Sequence, residues 1–260
     1  MVNSMLFRTI LPFCASLIFA QPLWAENFST NVKTVKHSVV AIGTFEKTRT
    51  PAISFSGTGF VVGDGLTIIT NAHVMNGVMK VDNDDTKGTL GILVGKGDAT
   101  EFRPATVIAV DEEHDLARLR IGGVPLPALE LGDAGAVAEG QAIAFTGFPL
   151  AMSLGFHHAT HRGFISAITP IATPGLDSRR LDSKVVRQLK RATYAVFQLD
   201  ATAYPGNSGS PVYDPETGLV LGVINMVFIK GLKESAITNP SGISYAIPVN
   251  FVQDLLRKKM

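Results

Sequence analysis

"SGTGFVVGDGLTIITNAHV", residues 56–74, has the pattern of two β-strands joined by a tight turn. A glycine-punctuated apolar run leads to "GDG", and a second run of β-branched and apolar residues follows it. Short runs bounded by Gly, Asp and Asn are typical of antiparallel strands. The second run ends at His73, so we expect a rigid strand to hold a histidine in the loop that follows.

Similar strand-like runs continue on both sides of this hairpin. About six lie between residues 38 and 121, and about six more lie between residues 141 and 248. Pro and Gly interrupt the pattern in "GGVPLPALELGDAG", residues 122–135, which we interpret as a domain boundary. Two such sets predict an all-β protein of two small barrels or sandwiches, at residues 27–126 and 127–247.

The first 25 residues have the pattern of a signal peptide. Arg8 is their only charged residue, and the run from Ile10 to Ala20 is almost wholly apolar. This predicts export with cleavage after Ala25, to the periplasm or beyond the cell. A retained membrane anchor is the alternative, although the run is shorter than the roughly 20 residues of a spanning helix.

The composition excludes some functions. Hydrophobic residues make up 46% of the chain and charged residues 17%, which is enough to form a sizeable core. Removal of residues 1–25 would take away Cys14, the single cysteine of the chain. It would also remove Arg8, which lowers the number of Lys and Arg residues from 23 to 22, equal to the 22 Asp and Glu residues. This balance gives no electrostatic reason to expect nucleic acid as a partner.

Two segments are predicted to be helical. Residues 248–260 begin with Pro248 and carry apolar residues at helical spacing, which predicts a closing helix docked on the second domain. Residues 177–191 combine an apolar face with six Arg and Lys residues, which predicts a basic amphipathic helix inserted between two strands. Either this helix packs on the barrel with a solvated outer face, or it recruits an activating partner.

"YPGNSGSPV", residues 204–212, contains a serine between two glycines. Gly206 could orient its own amide and that of Ser208 towards one point, as acyl transfer requires for the negative charge that develops on a carbonyl oxygen. Pro, Gly, Asn and Ser are also ordinary turn residues. From this stretch alone, Ser208 is either a nucleophile or a turn residue.

A nucleophilic serine needs a base and a group that orients the base. Among six histidines, His73 follows an apolar strand, whereas "FHHATH" places His157, His158 and His161 together without the cysteines or helical spacing of a metal site. We therefore expect these three on the surface or in loops, and no metal.

Asp115 begins the strand-like run "LARLRI" and could orient the base from a partly buried position. The neighbouring acidic residues are alternatives for that role, but they belong to the preceding turn, where we expect them to be solvated. They are Asp111, Glu112 and Glu113.

Three blocks in this order, "TNAHV" (70–74), "HDLARLRI" (114–121) and "DATAYPGNSGSPV" (200–212), resemble the catalytic blocks of chymotrypsin-fold serine proteases. They resemble the bacterial HtrA/Deg family more closely, and "SGTGFVV", "LGDA", "GFISAI" and "ISYAIPVNFV" extend the likeness over residues 37–255. The resemblance implies two six-stranded antiparallel β-barrels with the active site between them, a short C-terminal helix and no cofactor.

The resemblance also implies a role for each matching residue. His73 is the general base and then the general acid, Asp115 orients it, and Ser208 is the nucleophile. The amides of Gly206 and Ser208 form the oxyanion hole.

Three departures from the HtrA pattern are notable. HtrA proteins usually continue into PDZ domains, whereas this sequence ends after the closing helix, so we expect no PDZ-gated activation within it. The segment 172–193 is long and basic where the family has a regulatory loop, which puts the family's activation mechanism in doubt. HtrA relatives are often trimers, but the sequence leaves the oligomeric state open.

The resemblance places Thr202 at the base of the pocket for the side chain before the cut, where trypsin-like enzymes carry aspartate. Without a charged partner, Lys and Arg side chains would be desolvated there, so we expect cleavage after small or medium aliphatic residues. Ile224, Asn225 and Met226 are expected to line the pocket and to pair with substrate as an added strand. "GNSGSP" also resembles glutamyl endopeptidases, but "GVINMV" lacks the histidine that they use.

The leading hypothesis is therefore an exported serine endopeptidase that acts on unfolded or extended polypeptides. Two alternatives remain: a non-catalytic chaperone or adaptor with the same double barrel, and a latent protease that a partner activates.

Overall fold

The computed structural model describes residues 23–79, 88–95, 100–170, 194–226 and 242–258 of the 260-residue chain. They form two closed barrels of six antiparallel strands each, with a helix near each end of the described chain. The prediction of an all-β protein with two six-stranded barrels and a short C-terminal helix is confirmed.

The first barrel comprises β1 (Val39–Phe45), β2 (Ile53–Val62), β3 (Thr67–Thr70), β4 (Thr89–Val94), β5 (Glu101–Asp111) and β6 (Leu116–Ile121). Its strands are neighbours in the order β1-β2-β3-β6-β5-β4, and β1 also pairs with β4, which closes the barrel. Aliphatic side chains fill the interior, among them Ile42, Val61, Ile68, Ile92 and Leu119.

The second barrel comprises β7 (Ala142–Gly147), β8 (Ala159–Pro170), β9 (Ala195–Asp200), β10 (Pro211–Tyr213), β11 (Val220–Asn225) and β12 (Ile243–Pro248). The strand order is β10-β11-β12-β9-β8-β7, and β10 pairs with β7 to close it. The strands of the two barrels are separated by the Pro- and Gly-rich segment 122–135, while the exact domain limits stay predictions.

A hydrophobic cluster lies between the two barrels. Val40 faces the interior of the first barrel, whereas its neighbours Val39 and Ala41 belong to this shared cluster. The second barrel contributes Ala144, Tyr213, Val223 and Ile247. Because successive side chains of a strand point to opposite faces, a strand buried on both faces is apolar at every position. This explains the unbroken apolar run at the start of β1.

Two short helices interrupt the β pattern. Helix α2 (Ala72–Met79) follows β3, and helix α3 (Ala151–Leu154) follows β7. His73 therefore lies in the first turn of a helix, and the expectation that it lies in a loop was wrong in this detail.

The closing helix α4 (Val249–Arg257) has the predicted position, and Val249, Val252 and Leu255 on one face are fully buried. It contacts β11 and β12 of the second barrel, on which we expected it to dock, and also β5 and β6 of the first barrel, which we did not expect. The physical reason is that its buried face belongs to the cluster between the barrels.

Helix α1 (Leu23–Lys36) was not predicted, and it runs across the predicted cleavage position after Ala25. Its residues Phe28, Asn31 and Val35 follow helical spacing: Val35 is buried, Phe28 packs on the shared cluster, and the Asn31 side chain donates to the Pro215 carbonyl at 3.1 Å. That spacing was visible in the sequence.

Some predictions concern residues beyond those described. The basic helix at 177–191 and most of the signal peptide lie outside the described ranges. No helix within those ranges has both the length and the apolar character needed to span a bilayer.

Candidate active site

His73 is the second residue of α2, directly after the buried strand β3. The first N–H groups of a helix have no partner within it and need other acceptors. Asp115 supplies two: its carbonyl oxygen accepts from the amide of Ala72 at 3.1 Å, and its Oδ1 accepts from the amide of His73 at 2.8 Å. The Asn71 side chain donates to the same carbonyl at 3.1 Å. The start of the helix is thus attached to Asp115.

Asp115 ends the turn between β5 and β6 with a left-handed φ of 51°. Among non-glycine residues, Asn and Asp adopt this conformation most readily. Its Oδ2 lies 2.6 Å from His73 Nδ1. A carboxylate that accepts a hydrogen bond from Nδ1 leaves Nε2 unprotonated, so the imidazole can accept a proton there. The structure therefore brings two of the three predicted catalytic residues into contact.

Asn225 reaches the same carboxylate from the second barrel. Its Nδ2 donates to Asp115 Oδ2 at 2.7 Å, and the residue is fully buried. We expected Asn225 to bind substrate, but its side chain is directed at Asp115, so any contact with substrate would involve its main chain. The sequence carries no signal for this pairing, because the two residues are 110 positions apart on different barrels.

The nucleophile turn requires glycine at two positions. Gly206 has a φ of 102° and Gly209 a φ of 86°, both in the region that L side chains rarely adopt. A Cβ at Gly206 would collide with the Phe148 carbonyl oxygen, and a Cβ at Gly209 would collide with the Thr58 carbonyl oxygen. Ser208, between them, is 7% exposed. The glycines thus allow the turn to pack tightly against both barrels.

The amides of this turn divide into two groups. Those of Asn207 and Gly209 donate to Tyr204 and Ile224 carbonyls at 2.9 and 3.0 Å. In the described part of the chain, the amides of Gly206 and Ser208 donate to no protein acceptor. They are the two groups that we predicted as the oxyanion hole.

The directions of these two amides follow from the preceding carbonyls. Pro205 O accepts from the amide of Leu150 at 2.8 Å, and Asn207 O accepts from the amide of Ser210 at 2.9 Å. The C=O and N–H of a trans peptide point in opposite directions. The amide of Gly206 therefore points away from Leu150, and the amide of Ser208 points away from Ser210.

The residue after Ser208 contacts the segments that carry His73 and Asn225. Gly209 packs against the Thr70 hydroxyl, three residues before His73, and donates to Ile224, the neighbour of Asn225. Within the described residues, no hydrogen bond joins the Ser208 hydroxyl to the His73 ring. Catalytic hydrogen bonds are often long without substrate and shorten in the complex.

The predicted pocket residues lie around an apolar region. Ile224 is fully buried and Met226 is 7% exposed, and both pack with Ala203 in the core of the second barrel. The buried Ser244 hydroxyl accepts from the amide of Ala203 and donates to the Ala201 carbonyl, each at 2.8 Å, which attaches the segment around the half-buried Thr202 to β12.

Asp111 is buried, and the expectation that it is solvated was wrong. Burial alone would raise the pKa of its carboxyl, but hydrogen bonds from Lys258 and His114 lower the pKa to about 2. The His114 ring lies between Phe251 and Tyr194, with centroids at 3.9 and 4.7 Å. Burial raises the pKa of Tyr194, and the nearby carboxylates add to this. These contacts attach α4 to the turn that carries Asp115.

The three clustered histidines separate in the structure. His157 is exposed, and His158 Nε2 lies 2.9 Å from the Val39 carbonyl. His161 lies in strand β8, not in a loop, and stacks on Phe145 of β7. Burial lowers the pKa of His161. Within the described ranges, no group of His, Cys, Asp and Glu side chains is arranged to hold a metal ion.

Comparisons with known proteins agree with this geometry. The sequence model of the trypsin-like peptidase domain matches residues 57–223, which contain His73, Asp115 and Ser208. A probable periplasmic serine endoprotease DegP-like from Halomonas elongata is 30% identical over 200 residues, which cover 76% of this chain and 34% of that protein. The mitochondrial serine protease HTRA2 of Drosophila persimilis is 32% identical over 208 residues, which cover 80% of this chain and 40% of that protein. The chain thus spans about a third of the length of the first of these relatives.

Two solved structures share the fold. Deg5 aligns with a TM-score of 0.64 and 21% identity over 90% of this chain and 94% of its own. The HtrA-type protease AlgW with decapeptide aligns with a TM-score of 0.62 and 22% identity, and the alignment covers 88% of this chain and 66% of the AlgW chain. With a family match over most of its length and the two barrels of that fold, the chain belongs to the trypsin-like peptidase family.

Proposed function

We propose that the chain is a serine endopeptidase that hydrolyses peptide bonds through an acyl-enzyme. One observation carries the proposal: a histidine held by a carboxylate at 2.6 Å follows the strand whose Thr70 hydroxyl packs against a glycine-shaped turn, and in this turn the amides of Gly206 and of Ser208 itself have no acceptor among the described residues. The printed names of the relatives, serine endoproteases and serine proteases, support the same activity.

The mechanism follows from the roles of these groups. His73 Nε2 removes the proton from Ser208 Oγ as this oxygen attacks the substrate carbonyl carbon. The negative charge moves to the carbonyl oxygen, which accepts hydrogen bonds from the amides of Gly206 and Ser208, while Asp115 stabilises the imidazolium. His73 then protonates the departing amine as the C–N bond breaks. Water repeats the sequence on the acyl-enzyme and restores Ser208.

The pocket favours an uncharged side chain before the cut. Ala203, Ile224 and Met226 are apolar, and Thr202 supplies a hydroxyl but no charge. A Lys or Arg side chain would lose its hydration there without gaining a counter-ion. We therefore propose cleavage after small or medium aliphatic residues.

Substrates of this site are proposed to be unfolded or extended polypeptides. The end of β11 and the residue after it, 224–226, lie beside the nucleophile turn, because the Ile224 carbonyl accepts from the amide of Gly209. An extended segment can pair there as an added strand. The word periplasmic in the names of the bacterial relatives supports export to that compartment, or secretion, as the place of action.

The test compares wild type with Ser208→Ala on an unfolded protein substrate and a library of peptides. We expect Ser208→Ala to abolish cleavage, while the control Ser166→Ala, an exposed serine on β8, keeps it. Cleavage by Ser208→Ala at the wild-type rate would refute the proposal, and cleavage after Lys or Arg would refute the pocket assignment.

A partner-activated protease is the second candidate, because the Ser208 hydroxyl and the His73 ring form no hydrogen bond within the described residues. A fluorophosphonate that labels Ser208 separates the cases. Labelling of the isolated protein supports the active enzyme. Labelling only with an added activator, which we propose to bind at 177–191, supports the latent one. Absence of labelling under both conditions supports a chaperone or adaptor.

A further inference from the structure

We propose that Thr58 is a positioning residue that sets the orientation of the turn carrying both oxyanion donors. Thr58 lies in β2 of the first barrel and is fully buried, yet its hydrogen bonds cross to the nucleophile turn of the second barrel. The inference rests on the proposed function and names a residue on which that function depends.

Thr58 contacts the turn at two carbonyl groups. Its Oγ1 donates to the Gly206 carbonyl at 2.7 Å, and its amide donates to the Ser208 carbonyl at 2.9 Å. The amide of Phe148 donates to the same Oγ1 at 3.1 Å. Because an amide can only donate and a carbonyl can only accept, the single hydroxyl proton must point to Gly206. The direction of this bond is therefore determined.

The bond from the Thr58 hydroxyl acts on Gly206, one of the two glycines of the turn. Gly206 has no Cβ, so its two peptide planes can rotate unless each is held. The plane before it is held by the bond from Leu150 to the Pro205 carbonyl, and the plane after it by the Thr58 hydroxyl. The plane that Thr58 holds, between Gly206 and Asn207, connects the plane that carries the Gly206 amide to the plane that carries the Ser208 amide. Without the Thr58 bond this connecting plane can rotate, and the two amides no longer point to the same place.

The same residue connects the turn to the strand that leads to His73. The Thr70 hydroxyl, three residues before His73, donates to the Thr58 carbonyl at 2.7 Å. A run of two hydrogen bonds thus extends from Thr70 through Thr58 to Gly206. It aligns the histidine of one barrel with the oxyanion donors of the other.

Thr58→Val tests the inference, because valine keeps the shape and loses the hydroxyl. We expect kcat to fall by about tenfold to 100-fold, as for misplacement of a transition-state donor, with KM nearly unchanged because β11 is intact. Thr58→Ser keeps the hydroxyl and should restore kcat. A peptide aldehyde, whose adduct oxygen occupies the oxyanion hole, should lose affinity for Thr58→Val in proportion to kcat.

Thr67→Val is the matched control. Thr67 is also a buried threonine of the first barrel, and its hydroxyl bonds to Asp64 and Arg120, away from the turn. It should lower the melting temperature without lowering kcat. If Thr58→Val does not fold, Thr58→Ala is compared with Thr58→Ser per folded molecule.

The outcomes separate the two proposals. An inactive wild type would overturn the proposed function and this inference with it. An active wild type whose kcat and aldehyde affinity are unchanged by loss of the Thr58 hydroxyl would overturn this inference alone.

Discussion

Removal of the Asn225 side chain should impair catalysis through Asp115. Asp115 Oδ2 accepts hydrogen bonds from two side chains, His73 Nδ1 at 2.6 Å and Asn225 Nδ2 at 2.7 Å. In Asn225→Ala the second donor is lost, and the carboxylate can turn away from the imidazole. The backbone bond from His73 to Oδ1 remains, so helix α2 should keep its position.

The size of the effect follows from the kind of bond that is lost. A buried hydrogen bond to a charged group contributes about 1.5–3 kcal/mol. If the transition state, in which the imidazole becomes charged, bears the whole loss, kcat should fall about 10- to 150-fold. In Asn225→Asp, two carboxylates would meet instead, so its activity relative to wild type should be lowest at alkaline pH and recover as the pair binds a proton on acidification.

The assay is steady-state hydrolysis of a fluorogenic peptide over a range of pH, with thermal melting of each variant. Gln253→Ala is the matched control, because it removes a side-chain amide that donates to the Gly132 carbonyl at 3.0 Å, in the segment between the two barrels, and not to a residue of the triad. If Asn225→Ala turns over substrate as fast as Gln253→Ala, or if Asn225→Asp shows no pH dependence relative to wild type, the reasoning is refuted.

Three further predictions concern stability. The pKa of Asp111 is lowered to about 2, so its bonds should stabilise the folded state above pH 4 and lose this effect as the pH falls towards 2. Because Lys258 is half-exposed, we expect denaturant unfolding to show Asp111→Asn about 1 kcal/mol less stable than wild type at neutral pH, with a difference that shrinks as the pH falls through about 2. Gly209→Ala should abolish activity and lower the free energy of unfolding by about 2–5 kcal/mol, because the residue has a left-handed φ and its new Cβ would collide with β2. Gly218→Ala has a φ of 77° but open space around it, so this variant should lose only about 1–2 kcal/mol and stay active. Equal melting temperatures of the two variants would contradict this prediction. Leu255→Ala should cost about 2–5 kcal/mol and destabilise both barrels in one calorimetric transition, and two separate transitions would show that α4 does not couple them.

Much of the fold could be predicted because local pattern and burial agree. The apolar runs at β1, β2 and β3 predict strands whether one face or both faces of the strand are buried. The spacing of Val252 and Leu255 predicts a helix whether its apolar face packs on one barrel or on both. Helix α1 was missed because residues 1–25 were assigned to a signal peptide and residues from 27 onward to the first barrel, although Phe28, Asn31 and Val35 have helical spacing. The double contact of α4 could not be predicted, since no local pattern shows what covers an apolar face.

The sequence by itself determined which residues are available for chemistry. Local patterns presented a histidine after an apolar strand, an aspartate before another and a serine between two glycines as candidates. The resemblance of three ordered blocks to chymotrypsin-fold proteases then selected His73, Asp115 and Ser208 without coordinates. The need for glycine at 206 could be argued in the same way, because backbone conformation is a local property.

Only the tertiary structure decided what orients those residues. Thr58 and Asn225 are ordinary polar residues in apolar strands, and nothing nearby in the sequence distinguishes them from other buried threonines and asparagines. Their partners, Gly206 and Asp115, are 148 and 110 positions away on the opposite barrel. A hydrogen bond requires placement within a few tenths of an ångström, and packing of the two barrels against each other provides that placement.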